Sequence, residues 1–307
     1  MRIVVAGGSG FLGGALTAAL RKADHDVTVL TRRPHREGQV RWDPAENGGG
    51  PWMEAVHGAD AVVNLAGESI SGQRWTPSRK RALRESRVTA TDALARAVAV
   101  APRPPVFLSA SGIGYYGTSD EGQLTEASPP GRDFLANLCQ EWEASAMSAA
   151  HVARVVLLRT GVVLGRDGGA LTELVRPFRF FAGGPIGSGH QVVSWIHIDD
   201  WVAMVMWALG ETAVTGGLNL TAPRPATNAV LAREIGRAMH RPALLRAPAL
   251  AVRLAVGEMA DAAVLRGQYV VPAKALALGY PFRFPELHAA LGDLIGVRSP
   301  AAKPTPL

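Results

Sequence analysis

The sequence predicts an α/β protein on a doubly wound parallel sheet, and three observations carry that prediction. Short, unbroken apolar runs recur through the first half of the 307-residue chain, as strands covered on both faces of a sheet require. Stretches with helical spacing of apolar residues separate them in the βαβ rhythm. The first run ends at residue 7 on a glycine-rich turn that opens a helix.

In chain order, strands are expected at Ile3–Ala6, Val27–Leu30, Ala61–Leu65, Val106–Leu108 and Val155–Leu158. Helices are expected between them at Leu12–Lys22, Ser78–Val100 and Asp133–Ala150. After Gly165 the rhythm breaks up at Gly183-Gly184-Pro185 and Gly187-Ser188-Gly189, which precede helices near Asp199–Leu209, Asn228–Met239 and Leu250–Leu265. The chain therefore divides into a nucleotide-binding domain at 1–170, to which some later segments return, and a smaller substrate lobe at 171–298. The small, polar, proline-rich tail at 299–307 is expected to be disordered.

Composition bounds the function. At 48% hydrophobic and 19% charged, the chain reads as a globular enzyme. No apolar stretch is long enough to span a bilayer, no secretory leader precedes the first strand, and the one cysteine, Cys139, rules out an internal disulfide. A cytoplasmic location is expected, with no membrane partner. The net charge of +6 invites a nucleic-acid reading, but the arginines are spread along the chain. The one cluster, Arg79-Lys80-Arg81 with Arg84 and Arg87, reads as a solvated helix face, so no nucleic-acid partner is expected.

The turn Ala6-Gly7-Gly8-Ser9-Gly10-Phe11-Leu12-Gly13 carries the strongest chemistry. Gly7 permits the tight turn, Gly10 lets the backbone approach a pyrophosphate, and Gly13 lets the helix pack on the strand. Free amides and the positive helix end then face the phosphates. This is the signature of a Rossmann-type dinucleotide site. Cofactor choice is read at the end of the second strand, Val29-Leu30-Thr31-Arg32-Arg33. No carboxylate stands there for a ribose diol; a hydroxyl and two guanidiniums suit a 2′-phosphate, so NADP (NADPH) is the expected cofactor.

With Asn64-Leu65-Ala66-Gly67 ending the third expected strand, this glycine spacing resembles the extended short-chain dehydrogenase/reductases. The segments 109–117, 133–143, 159–165, 183–191 and 194–200, with Gly267-Gln268 and 284–287, narrow the likeness. They are similar to an atypical branch, the NAD(P)-dependent "epimerase family proteins", which carries its own C-terminal domain. That resemblance covers nearly the whole chain. It implies that Thr31, Arg32, Leu65, Ala66, Arg87 and Leu164 line the dinucleotide alongside the glycine loop, with Gly67 beside them.

The resemblance also exposes a gap. The parent family uses a hydroxyl residue, a Tyr and a Lys four residues later. In this chain the Tyr and Lys positions fall at Leu135 and Cys139, and the helical Asn position is Arg87. The hydroxyl position survives as Ser111, with Ser109 the other candidate. Tyr116 is the candidate replacement acid, although neither it nor Tyr115 has a Lys four residues on. Glu68 faces the expected cleft, and Asp199 reads as a helix N-cap. His197 with Asp199-Asp200 lacks the further ligands a metal needs, so no metal is expected.

The expected activity is hydride transfer on an unknown small carbonyl or hydroxyl substrate by an oxidoreductase-like or epimerase-like protein, monomeric or homodimeric. The alternative is a catalytically impaired, dinucleotide-binding regulatory protein, which the resemblance links to cell division.

Overall fold

The computed structural model describes residues 1–46, 49–118 and 122–296; the tail expectation at 299–307 lies outside them. The central sheet comprises β1 (Arg2–Ala6), β2 (Asp26–Thr31), β3 (Gln39–Arg41), β4 (Ala61–Asn64), β5 (Val106–Gly112), β6 (Val155–Thr160) and β7 (Gly216–Leu220). Their order is β7-β6-β5-β4-β1-β2-β3, and every neighbouring pair is parallel. The order reverses between β1 and β4, which opens a crevice at their carboxyl ends.

Alternation along β1 explains why helices cover both faces. Ile3 and Val5 point into a core shared with α1 (Phe11–Lys22) and α6 (Ile198–Gly210) through Leu16, Leu20, Trp201 and Val205. Val4 and Ala6 point the other way, into a core with Trp52, Leu94 and Val98. Those residues come from α2 (Pro51–His57) and α3 (Pro77–Ala99). The helix α4 (Phe134–Met147) closes that face beyond β5, adding Ala146 to the same core. Thr76 caps α3 by accepting from the Arg79 amide, and Asp133 caps α4 by accepting from the Ala136 amide.

The C-terminal part has its own core of Leu171, Phe178, Trp195, Leu231, Ile235 and Leu291. It is built mainly by α5 (Ala170–Arg179), α7 (Asn228–Met239) and α9 (Leu287–Ile295). Two sequence readings change here. The expected helix at 250–265 is a short α8 (Ala249–Val256), ended by Gly257 at φ +66° and followed by one π turn, Ala260–Val264. The N-cap of α6 is His197, whose Nδ1 accepts from the Asp199 amide, so Asp199 sits inside the first turn.

Candidate functional site

The glycine turn sits at the β1/β4 crevice. Gly7 has φ +78°, and a Cβ there would stand 2.6 Å from the Leu65 carbonyl oxygen. A Cβ at Gly13 would fall on the Gly7 carbonyl. Both glycines are thus required by the protein's own packing. Gly10 is different: a Cβ there would make only an ordinary 3.5 Å contact. Its bareness leaves room for something outside the chain, the cradle a pyrophosphate needs. Gly10 is also the N-cap of α1, with no side-chain cap and no acid in the first turn. The first intrahelical bond runs from the Gly14 amide to the Gly10 carbonyl, leaving the Phe11, Leu12 and Gly13 amides without helical acceptors. Ser9 is exposed beside them. The Phe11 ring lies on Gly165, Gly168 and Gly169, each of whose added Cβ would strike it.

Around this turn the other expected contacts are arranged as follows. Half-buried Thr31 ends β2, and exposed Arg32 follows with no ion pair among the described residues. Asn64 holds the β4 end: its Oδ1 accepts from the Ala66 amide at 3.1 Å, while its Nδ2 donates to Thr91 at 2.8 Å and Ser109 at 3.3 Å. Arg87 is buried against Gly67 and Trp142 and donates to the Leu83 and Glu68 carbonyls at 3.0 and 2.8 Å. Burial pulls its pKa below the usual arginine value. The Leu164 side chain is fully buried in the C-terminal core. Glu68 pairs with Arg79. The basic cluster of α3 is largely spent on such pairs, with Lys80 on Glu258 and Arg84 on Glu141.

Ser111 leads into a buried polar chain. Its hydroxyl donates to Glu143 Oε1 at 2.7 Å, and Arg159 clamps both Glu143 oxygens at 2.8 Å each. Arg159 Nη1 donates to the Tyr116 hydroxyl at 3.0 Å, which in turn donates to Asn219 Oδ1 at 2.7 Å. The guanidinium also stacks on the Tyr115 ring at 3.5 Å. Burial pushes Tyr116 up to about 12. The hydroxyl that the sequence offers as a proton donor thus has its proton directed at Asn219 and its oxygen on Arg159. Leu135 and Cys139 stand against Gly112 and Gly114 at the end of β5, where the parent chemistry would be. Burial raises the Cys139 thiol to about 11, so it is no nucleophile.

Sequence reading assigned no role to Glu143, Arg159, Asn219 or Asn64. The signal that was available is Arg159 ending the apolar run Val155–Leu158, since a buried guanidinium demands a buried carboxylate. The Asp200 carboxylate accepts from the Arg283 and Phe284 amides, and no group of three metal-ligating side chains exists among the described residues. In the C-terminal part, a cavity of about 670 Å³ is lined by Gln123, Ser188, His190, Leu265, Arg266 and Tyr269. Gln268 ties this region to the Ile113 carbonyl, two residues past Ser111.

Strand order, switch point and glycine cradle together define a Rossmann-type NAD(P)-binding protein of the short-chain dehydrogenase/reductase kind. Its family follows from comparison with known proteins: residues 3–219 match the NAD dependent epimerase/dehydratase family and residues 247–294 a domain of unknown function, DUF1731, and the chain belongs to that epimerase family. The human epimerase family protein SDR39U1 is 42% identical over 299 residues, covering 96% of this chain and all of that protein. Bacillus subtilis YfhF is 37% identical over 97% of this chain and 99% of its own length. A 41% identical Arabidopsis thaliana relative, aligned over 95% of this chain and 86% of its own length, is named chloroplastic. Among solved structures, the human protein crystallised with NADPH superposes with a TM-score of 0.88 at 41% identity, covering 96% of this chain and 99% of that one. No helix among the described residues is long and apolar enough to cross a membrane.

Proposed function

We propose that this protein binds NADP(H) at the β1/β4 switch point and transfers hydride to or from a small carbonyl or hydroxyl substrate. The observation that carries the cofactor choice is the end of β2, where Thr31 and an unpaired Arg32 replace the carboxylate that a ribose diol would need. The human relative's crystal structure with NADPH supports the same reading. When bound, the nicotinamide supplies the hydride chemistry.

The chain's own residues have distinct parts in this reading. The Phe11, Leu12 and Gly13 amides hold the pyrophosphate, and Leu65, Ala66 and Gly67 floor the crevice between them and β5. Arg32 meets the 2′-phosphate, and Arg87 braces the turn at Gly67 through its bond to the Glu68 carbonyl. Ser111 touches the substrate. Because its single proton is directed at Glu143, its oxygen offers lone pairs and accepts from a substrate hydroxyl. Glu143, Arg159 and Tyr116 are positioning residues behind it. The buried, reduced Cys139 suits a cytoplasmic setting.

A second reading, a dinucleotide-binding regulatory protein without turnover, is favoured by one observation: Leu135 and Cys139 stand where the resemblance puts the proton-transfer pair, and the Tyr116 hydroxyl is already engaged with Arg159 and Asn219. Incubating the protein with NADPH and a panel of aldehydes and ketones, and with NADP⁺ and the matching alcohols, separates the two. Nucleotide oxidation or reduction that Ser111→Ala abolishes supports the first; tight NADPH binding without turnover across both panels supports the second.

A further inference from the structure

The C-terminal part presents a surface that the dinucleotide site does not explain. Helix α8 has no buried residue although its sequence, ALAVRLAV, is almost wholly apolar. Leu250 and Leu254 on it are 67% and 66% exposed, and beside them Leu244 is 83% and Phe180 76% exposed, with Phe181 and Leu245 also open. The two segments that carry these side chains, 180–187 and 244–254, are joined through their backbones. The Leu245 amide donates to the Gly183 carbonyl, and Ala247 exchanges backbone bonds with Pro185 and Gly187. Arg241 lies over the Phe181 ring at 4.3 Å, and a Cβ at Gly187 would meet Ala249. Large apolar side chains exposed in this number on adjoining segments mark an interaction site.

Charge says what covers it. No Asp or Glu occurs from Leu174 to Ile198 or from Ile235 to Gly257, while the two stretches contribute six arginines, Arg176, Arg179, Arg237, Arg241, Arg246 and Arg253. Arg237 and Arg253 are paired, with Glu234 and Asp261. Arg176, Arg179, Arg241 and Arg246 have no carboxylate partner among the described residues. A two-fold contact between copies of this face would set these guanidiniums against their own kind, a repulsion that disfavours self-association. About two-thirds exposed or more, the Phe180, Leu244, Leu250 and Leu254 side chains suit a fluid boundary better than the fixed pockets of a folded partner.

We propose that this face is a peripheral docking surface for an anionic phospholipid membrane. The Phe180, Leu244, Leu250 and Leu254 side chains enter the headgroup boundary, and the arginines around them meet lipid phosphates. A surface-bound face needs no spanning segment, which is why the sequence alone points to no membrane partner.

The test is sedimentation of the full chain with vesicles of phosphatidylcholine alone or with about a third phosphatidylglycerol. The expected result is binding to the anionic vesicles only, weakened by salt. Replacing Arg241 and Arg246 by Gln should lower that affinity about fivefold per arginine, and Leu244→Glu with Leu250→Glu should abolish it while NADPH binding and melting temperature stay unchanged. Equal binding to both vesicles, or none to either, overturns the proposal. So does light scattering that shows a dimer broken by the Leu→Glu pair, or retention on poly-glutamate without vesicle binding, which would mean an acidic protein partner.

Discussion

The Ser111 hydroxyl donates to a Glu143 carboxylate that Arg159 holds by both oxygens. The serine that the sequence places at the reacting position is thus fixed from behind by a buried ion pair, and its orientation depends on two residues from other elements. Removing one partner of such a pair strands a charge in a site from which water is excluded. Arg159→Met should cost about 3–5 kcal/mol by urea denaturation. Combining it with Glu143→Leu should recover most of that loss, and failure to recover would mean that packing, not charge, dominates there.

Gly13 and Gly10 should separate folding from binding. Gly13→Ala drives a methyl onto the Gly7 carbonyl and should destabilise the fold by about 1–3 kcal/mol. Gly10→Ala meets only an ordinary contact, so its stability should stay within about 0.5 kcal/mol of the parent. Its NADPH affinity should nevertheless fall at least about tenfold, since roughly 1.4 kcal/mol of pyrophosphate contact is lost. Thermal melts with and without nucleotide read both effects.

Arg32 should set the cofactor preference. A guanidinium–phosphate bond is worth about 1.5–3 kcal/mol, so Arg32→Glu should weaken NADPH binding by roughly ten- to a hundredfold. NADH binding should change little or improve. Parallel titrations of the variant with the two nucleotides check this.

Cys139 should make the fold sensitive to alkali. Burial pushes its thiol up to about 11 in the native protein, above the ordinary cysteine value near 9, so the unfolded chain loses its proton first as pH rises. The stability it contributes is whole below about pH 9 and is lost progressively up to about pH 11. Urea midpoints measured across that window should fall, and fall less in Cys139→Ala. In the same way, a thiol reagent should leave native protein at pH 8 unlabelled and modify its one cysteine only on unfolding.

The first half of the fold was legible because its signals are local. Gly7 needs a positive φ, and the apolar runs of β1, β2, β4, β5 and β6 need burial on both faces; both demands show within a few residues. The family resemblance, counted back from Glu143, is what puts the missing proton-transfer pair at Leu135 and Cys139; their own surroundings carry no such signal. The buried chain behind Ser111 was not legible. Tyr116 and Asn219 are 103 residues apart, and nothing in either's surroundings announces the other. The C-terminal part was read least well. Its strands are two or three residues long, too short for any alternation, and the apolar spacing across 250–265 hid the break at Gly257. The His197 cap was hidden as well, because a neutral imidazole accepts an amide only in one tautomer.

Whether this Rossmann site is shaped for the phosphorylated dinucleotide can be read by titrating the wild-type protein with NADPH and NADH under identical conditions and following nicotinamide fluorescence. NADPH should bind at least about tenfold more tightly, the margin that one charge-assisted bond from Arg32 provides. NADH binding as tightly as NADPH, or more so, would contradict it.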